Sequence, residues 1–226
     1  MPAANIIQLR QLLAERFPGL RTRAGELSTA RPAFWPTGIP QLDESLRGGF
    51  AKGALSEIVA EQRGSGSALL MTALIHRALG ENKFVAVIDG RDSLDVTQLG
   101  EDLSRLLWVR CRSTEEALKA ADLLLRDGNL PLVLLDLTVN PAAQLRKIPA
   151  TTWYRFQRLM EQTSAVCAVF TPRVMVAPAQ ARVTLHSRFS IQALEREPQE
   201  LLHALKFDVT ESRRFGESSE LESRLA

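Results

Sequence analysis

Apolar residues along this chain follow two rhythms. Near its start, Ile6, Leu9, Leu13 and Phe17 recur every three or four positions, on one face of a helix over residues 6–17 that Pro18-Gly19 ends. Residues 21–36 are polar and proline-bearing and read as a tether. Beyond them, a strand-like segment at 55–59 and continuous apolar runs at 84–88, 132–135 and 165–170 alternate with helical patterns at 68–79, 114–126 and 151–161. Runs without polar alternation suit strands covered on both faces. Their alternation with helices predicts an α/β fold with a mainly parallel central sheet and right-handed crossovers.

Local signals sharpen several of these elements. In the 68–79 helix, Leu70, Leu74 and Ile75 face the sheet, and Gly80 is expected as its C-cap. The 114–126 helix has Ser113 or Thr114 as its cap, Glu115 and Glu116 in the first turn where they suit the dipole, and Gly128 beyond its end. Trp153, Phe156 and Met160 form a core-facing stripe on the next helix. Residues 182–185 and 189–193 suit a hairpin turning near Ser187-Arg188, whereas 201–209 mix a short helical pattern with a Leu205, Phe207, Val209 alternation. From Thr210 onward Glu, Ser and Arg dominate, and Phe215 and Leu221 stand isolated. Such a tail buries too little apolar area to offset its ordering entropy, but its two hydrophobes are candidate docking points for a partner. The expected organisation is a helix and tether over 1–36, a core over 37–209 and a polar tail over 210–226.

Composition narrows the function classes. The 226 residues suit one α/β domain with flanking segments. A net charge of +2 is a poor electrostatic footprint for a protein that lives on phosphate backbone. Basic residues do cluster, at Arg105, Arg110 and Arg112, at Arg146, Lys147, Arg155 and Arg158, and at Arg173, Arg182 and Arg188. They read as solvated faces, and direct DNA binding is expected to be weak or absent. No stretch approaches bilayer-spanning length, and Arg10, Glu15 and Arg16 interrupt any signal-peptide pattern, so no membrane association and a cytoplasmic location are expected. Cys111 and Cys167 lack metal-ligand spacing and read as buried, reduced thiols. His76, His186 and His203 are scattered, and no metal site is expected.

The candidate chemistry lies in the turn after the first strand, Ala60-Glu61-Gln62-Arg63-Gly64-Ser65-Gly66-Ser67. A phosphate-binding loop, G-x-x-x-x-G-K-[ST], needs glycines so that backbone N–H groups converge on phosphate, a lysine for the β and γ oxygens, and a hydroxyl for Mg²⁺. Only Ser67 fits. Ala60 replaces the first glycine, Ser65 the second, Gly66 stands in the lysine position, and no lysine occurs between Lys52 and Lys83.

The surroundings make the turn specific. Upstream lies Thr37-Gly38-Ile39-Pro40-Gln41-Leu42-Asp43-Glu44-Ser45-Leu46, then Gly48-Gly49-Phe50, Gly53 and Glu57-Ile58; downstream, Ile88-Asp89 and Leu94-Asp95 form an I-D-x-x-x-x-L-D pattern, and Leu132-Val133-Leu134-Leu135-Asp136 looks like a Walker B strand. Over roughly residues 37–194 the chain resembles the RecA family, which implies a RecA-like P-loop core. The same resemblance implies lost chemistry. Arg91 stands where RecA has its catalytic glutamate, and a guanidinium cannot accept a proton from water. Val96-Thr97-Gln98-Leu99 offers no ring for adenine, and the 165–170 strand ends in Thr171-Pro172 where RecA has a phosphate-sensing glutamine.

Gly53-Ala54-Leu55-Ser56-Glu57-Ile58 before a non-consensus loop is similar to ImuA, the RecA-like accessory protein of translesion synthesis operons; SulA, a cell-division inhibitor, belongs to the same degenerate group. The resemblance implies a non-catalytic adaptor in the SOS response to DNA damage, with no cofactor, bound to RecA and/or the polymerase-like protein ImuB and the associated error-prone polymerase. The N-terminal helix can also serve self-association. Alternatives are a SulA-like inhibitor, or an unorthodox ATPase in which Arg63 replaces the lysine, Gly64, Ser65, Gly66 and Ser67 form a vestigial cradle, and Asp136 serves Mg²⁺.

Overall fold

The continuous apolar runs become the interior of one seven-stranded sheet, whose strands lie in the order Leu106–Arg110, Val85–Asp89, Leu132–Asp136, Val166–Thr171, Ala54–Val59, Ala181–Leu185, Phe207–Glu211. The computed structural model describes residues 34–100 and 103–211. In chain order these form β1 (Phe34–Trp35), α1 (Pro40–Ser45), β2 (Phe50–Ala51), β3 (Ala54–Val59), α2 (Ser67–Gly80), β4 (Val85–Asp89) and β5 (Leu106–Arg110). Then come α3 (Thr114–Asp127), β6 (Leu132–Asp136), α4 (Ala142–Leu145), α5 (Ala150–Met160), β7 (Val166–Thr171), β8 (Ala181–Leu185), α6 (Pro198–His203) and β9 (Phe207–Glu211). Short 3₁₀ turns lie at Val96–Leu99 and Ile191–Glu195.

All pairings from β5 to β8 are parallel, and β9 closes one side antiparallel to β8. Helices lie on both faces, which is why β3, β4 and β7 are buried at every position. Side-chain alternation sorts each strand between two cores. Val85 and Val87 of β4 and Leu132 and Leu134 of β6 join Leu70, Leu74 and Ile75 of α2. Ala86, Ile88, Val133 and Leu135 point the other way, onto Ala121 and Leu124 of α3 and Trp153, Phe156 and Met160 of α5. Each fully buried Leu or Phe is worth about 1.5–3 kcal/mol relative to exposure, so these two layers hold the frame on which the loops stand.

Three expectations change. First, residues 189–193 do not pair with 182–185: β8 pairs with β9, Leu185 opposite Phe207 and Ala181 opposite Glu211. The intervening chain is drawn away because Phe189 N–H donates to Gly64 O at 2.9 Å. Second, α2 runs through Gly80. It stops at Glu81, whose N–H returns to Arg77 O, and Asn82 takes the left-handed conformation while Lys83 N–H closes on Ala78 O. Third, the end of the expected tether is structural: Phe34 and Trp35 pair with Ala51 and Phe50, and Trp35 is buried. The other cap signals read as expected. Ser113 Oγ accepts from Glu116 N–H at 3.2 Å, and Gly128 ends α3 in the left-handed region.

Candidate functional site

β3 delivers its loop at the carboxyl end of the sheet, where ligands of open α/β folds bind. Ala60 N–H continues the ladder to Thr171 O at 2.8 Å; Ser65 N–H then closes a turn on Gln62 O, and Gly64 and Gly66 take φ of 75° and 98°. Gly66 is the N-cap of α2, with no side-chain cap, and Ser67 is its first residue. Arg63 is exposed, Ser65 is buried, and its hydroxyl finds no hydrogen-bond partner among the described residues.

The decisive contact lies at Gly66, the lysine position of the template. A side chain leaving its Cα meets Leu205 Cδ1 inside van der Waals distance and Phe189 Cε2 at 3.2 Å. At Gly64 the same direction meets the backbone oxygen of Phe189 at 2.9 Å. The strap from Ser187 to Lys206 therefore closes, through Phe189 and Leu205, over the space that any Cβ on Gly66 would enter. Its ends are tied down, since Lys206 N–H donates to Ser187 Oγ at 2.7 Å and His186 N–H to Lys206 O at 2.8 Å. Two shallow clefts flank it, about 250 Å³ and about 130 Å³, lined in common by His186, Ser187 and Arg188.

The acids of the RecA-like pattern serve the backbone. Asp89, buried at the end of β4, accepts from Ser93 N–H at 2.7 Å, Leu94 N–H at 2.8 Å and Arg91 N–H at 3.2 Å, and from Trp108 Nε1 at 3.3 Å. Arg91 reaches across to Arg112 O at 2.8 Å. Asp136 accepts from Thr138 N–H at 2.9 Å and Thr138 Oγ1 at 2.6 Å. Burial pushes its carboxyl above the ordinary aspartate value of 3.8; the Thr138 hydrogen bonds oppose this, and the charge of Asp89 adds to it. β7 separates β3 from β6, so Asp136, Thr171 and the loop share one end of the sheet without Asp136 adjoining the loop's strand.

One acid enters the sequence reading only as part of a motif, and its structural role is missed there. Glu57, fully buried in β3, accepts from Thr171 Oγ1 at 3.1 Å, Met175 N–H at 2.7 Å and Val176 N–H at 3.0 Å, and pairs with Arg182 Nε at 2.7 Å. Thr171, at the sensor position, thus turns to Glu57. The available signal was a lone acid inside a strand-like segment, which needs a buried partner. Phe189 and Leu205 were unmarked by any motif. Ile6, Leu9, Leu13, Phe17, Phe215 and Leu221 lie outside the described residues. Among the described residues, no group of three His, Cys, Asp or Glu is placed to hold a metal ion, and no helix is long and apolar enough to cross a membrane.

Comparison with known proteins places this frame. A family profile described as the RecA N-terminal domain matches residues 22–162. The RecA protein of Cutibacterium acnes is 30% identical over 187 residues, covering 77% of this chain and 53% of that protein. Those of Fusobacterium nucleatum subsp. nucleatum (35% over 122 residues, 52% of this chain and 32% of that protein) and Picosynechococcus sp. (30% over 139 residues, 59% and 39%) are also similar. The chain spans about half the length of the first of these and less of the others.

Proposed function

This chain belongs to the RecA family, and from that premise we propose that it is a nucleotide-independent, non-catalytic member. In this reading it is an ImuA-type adaptor of the SOS response and translesion DNA synthesis, binding RecA, the polymerase-like protein ImuB, or both. The observation that carries the reading is the strap over Gly66: Leu205 and Phe189 fill the space that the Cβ of any side chain at this lysine position would enter. Support comes also from the acids. A carboxyl that organises its own backbone, as Asp89 and Asp136 do, has fewer lone pairs for a hydrated Mg²⁺. Arg91, turned to Arg112 O, provides no base for water. Phosphoryl transfer without lysine, base or sensor leaves transition-state charge unmatched. An adaptor needs instead a stable shape, and the two packed cores supply one without ligand.

The test uses the full chain. Calorimetric titration with Mg-ATP is expected to give no binding heat, and co-purification with RecA and with ImuB is expected to give a saturable complex unaffected by ATP. Turnover of ATP that a Ser67→Ala change removes overturns the reading in favour of the Arg63/Asp136 ATPase. A complex with the tubulin-like division protein alone moves the function to the SulA side.

A further inference from the structure

Strands β6 and β7 end side by side, with Leu137 N–H on Phe170 O at 2.9 Å, and the connections leaving them share a chemistry. Residues 137–149 and 172–180 contain Arg146, Lys147 and Arg173, no aspartate or glutamate, and no glycine. Each also holds an aliphatic side chain out in solvent: Val139 is 51% exposed and Val174 55%.

Neither valine is out because its loop is loose. Beside Val174, Met175 N–H and Val176 N–H both donate to the buried carboxylate of Glu57, and Arg182 Nη2 returns to Val176 O at 3.3 Å. Farther along, Ala179 N–H closes on Val176 O and Gln180 N–H on Leu55 O. On either side of Val139, Thr138 is held by Asp136, and Asn140 Nδ2 donates to Gly90 O at 3.2 Å and Thr114 Oγ1 at 2.8 Å. Gln144 Oε1 in turn accepts from Thr114 N–H and Oγ1 at 3.1 and 2.9 Å. A buried ion pair is weak as a source of stability compared with apolar packing, so the Glu57–Arg182 pair is better understood by what it positions. Loops fixed before binding lose little entropy on binding.

We propose that these two connections form a preorganised docking surface for an acidic segment of a partner protein, with Val139 and Val174 meeting its aliphatic anchors and Arg146, Lys147 and Arg173 its carboxylates. Charge selects the occupant: three cations with no acid in either connection favour an anionic partner. The exposed anchors select a protein over single-stranded nucleic acid, which binds on aromatic stacking platforms that neither connection contains. The inference rests on the adaptor reading only for the existence of a partner.

Fluorescence anisotropy of the full chain tests it with three probes: a labelled peptide of about 15 residues mixing Asp and Glu with Leu and Val, the same peptide with lysine for every acid, and oligothymidine. The acidic peptide is expected to bind saturably and to weaken as salt rises, and the lysine peptide is not. Val139→Asp with Val174→Asp, and separately Lys147→Glu with Arg173→Glu, are each expected to weaken it by about tenfold or more with the melting temperature unchanged. No saturable binding of the acidic peptide, or binding that neither pair of changes alters, overturns the proposal. So does oligothymidine binding that both pairs abolish, which assigns the surface to nucleic acid. Peptide binding without any RecA or ImuB complex refutes the adaptor assignment and leaves this surface standing; the converse refutes the surface alone.

Discussion

Restoring the template lysine, Gly66→Lys, is expected to damage the protein and leave nucleotide binding unchanged. Gly66 sits at φ 98°, and an L-residue held in the left-handed region costs about 1–2 kcal/mol. Its new Cβ also enters the space of Leu205 Cδ1 and presses on Phe189. Leu205 can rotate in principle, but it is buried in the core shared with α2, and forcing extra atoms into packed space costs about 1–3 kcal/mol. The sum, about 2–5 kcal/mol, corresponds to a fall of about 4–20 °C in Tm for a chain of this size. Gly66→Ala places the same Cβ without the charged stem and is expected to show most of the loss. Combining Gly66→Lys with Leu205→Ala removes the collision, and the double variant is expected to be more stable than the sum of the single losses. Urea denaturation of the wild type, the two Gly66 variants, Leu205→Ala alone and the double variant, with and without Mg-ATP, is the assay. Wild-type stability in Gly66→Lys, or a rise in its midpoint on adding Mg-ATP, refutes the filled-cradle argument.

Asp136 provides a pH test. Because its carboxyl lies above 3.8 in the folded chain, the folded state holds more protons than the unfolded one between 3.8 and the raised value, so this group lowers stability as pH climbs through that window. Asp136→Asn keeps an oxygen for Thr138 and removes the charge; it is expected to match or exceed wild type in urea at pH 7, with the difference gone below 3.8. An equal loss at both pH values counts against this account. The thiols respond to folding: burial, with Glu116 and Asp89 adding, pushes Cys111 up to about 11, and burial alone pushes Cys167 up to about 12. Neither is expected to react with a disulfide reagent at pH 8 until denaturant is added, and a fast native phase contradicts this burial. Glu57→Ala leaves Arg182 without its buried partner and frees two backbone N–H groups, an expected loss of about 3–5 kcal/mol. Limited proteolysis is expected to cut that variant within 172–180, and a variant as resistant as wild type contradicts the anchoring role.

Much of the frame is legible before any coordinates. The runs at 84–88 and 165–170 are buried at nearly every position because parallel strands under helices have two covered faces, which uninterrupted apolar sequence suits. Ser113 and Gly128 bracket α3 through short-range hydrogen bonds. The loss of lysine at Gly66 and of glutamate at Arg91 is likewise a property of the chain, since no packing can supply a missing functional group.

What tertiary structure alone decided lies far apart in sequence. Leu205 belonged to an alternation that announced burial without naming its neighbour, and only the path of the chain lays it and Phe189 on Gly66. The edge partner of β8 was decided the same way, because the hydrogen bond from Phe189 to Gly64 removes residues 189–193 from the sheet and leaves Phe207–Glu211 to pair. Glu57 is a lone acid in sequence and a four-contact anchor in space. Periodicity reports how a residue faces its own element, a local property. Which distant side chain fills the opposite space depends on the competition among all long-range packings, and only the folded chain resolves it.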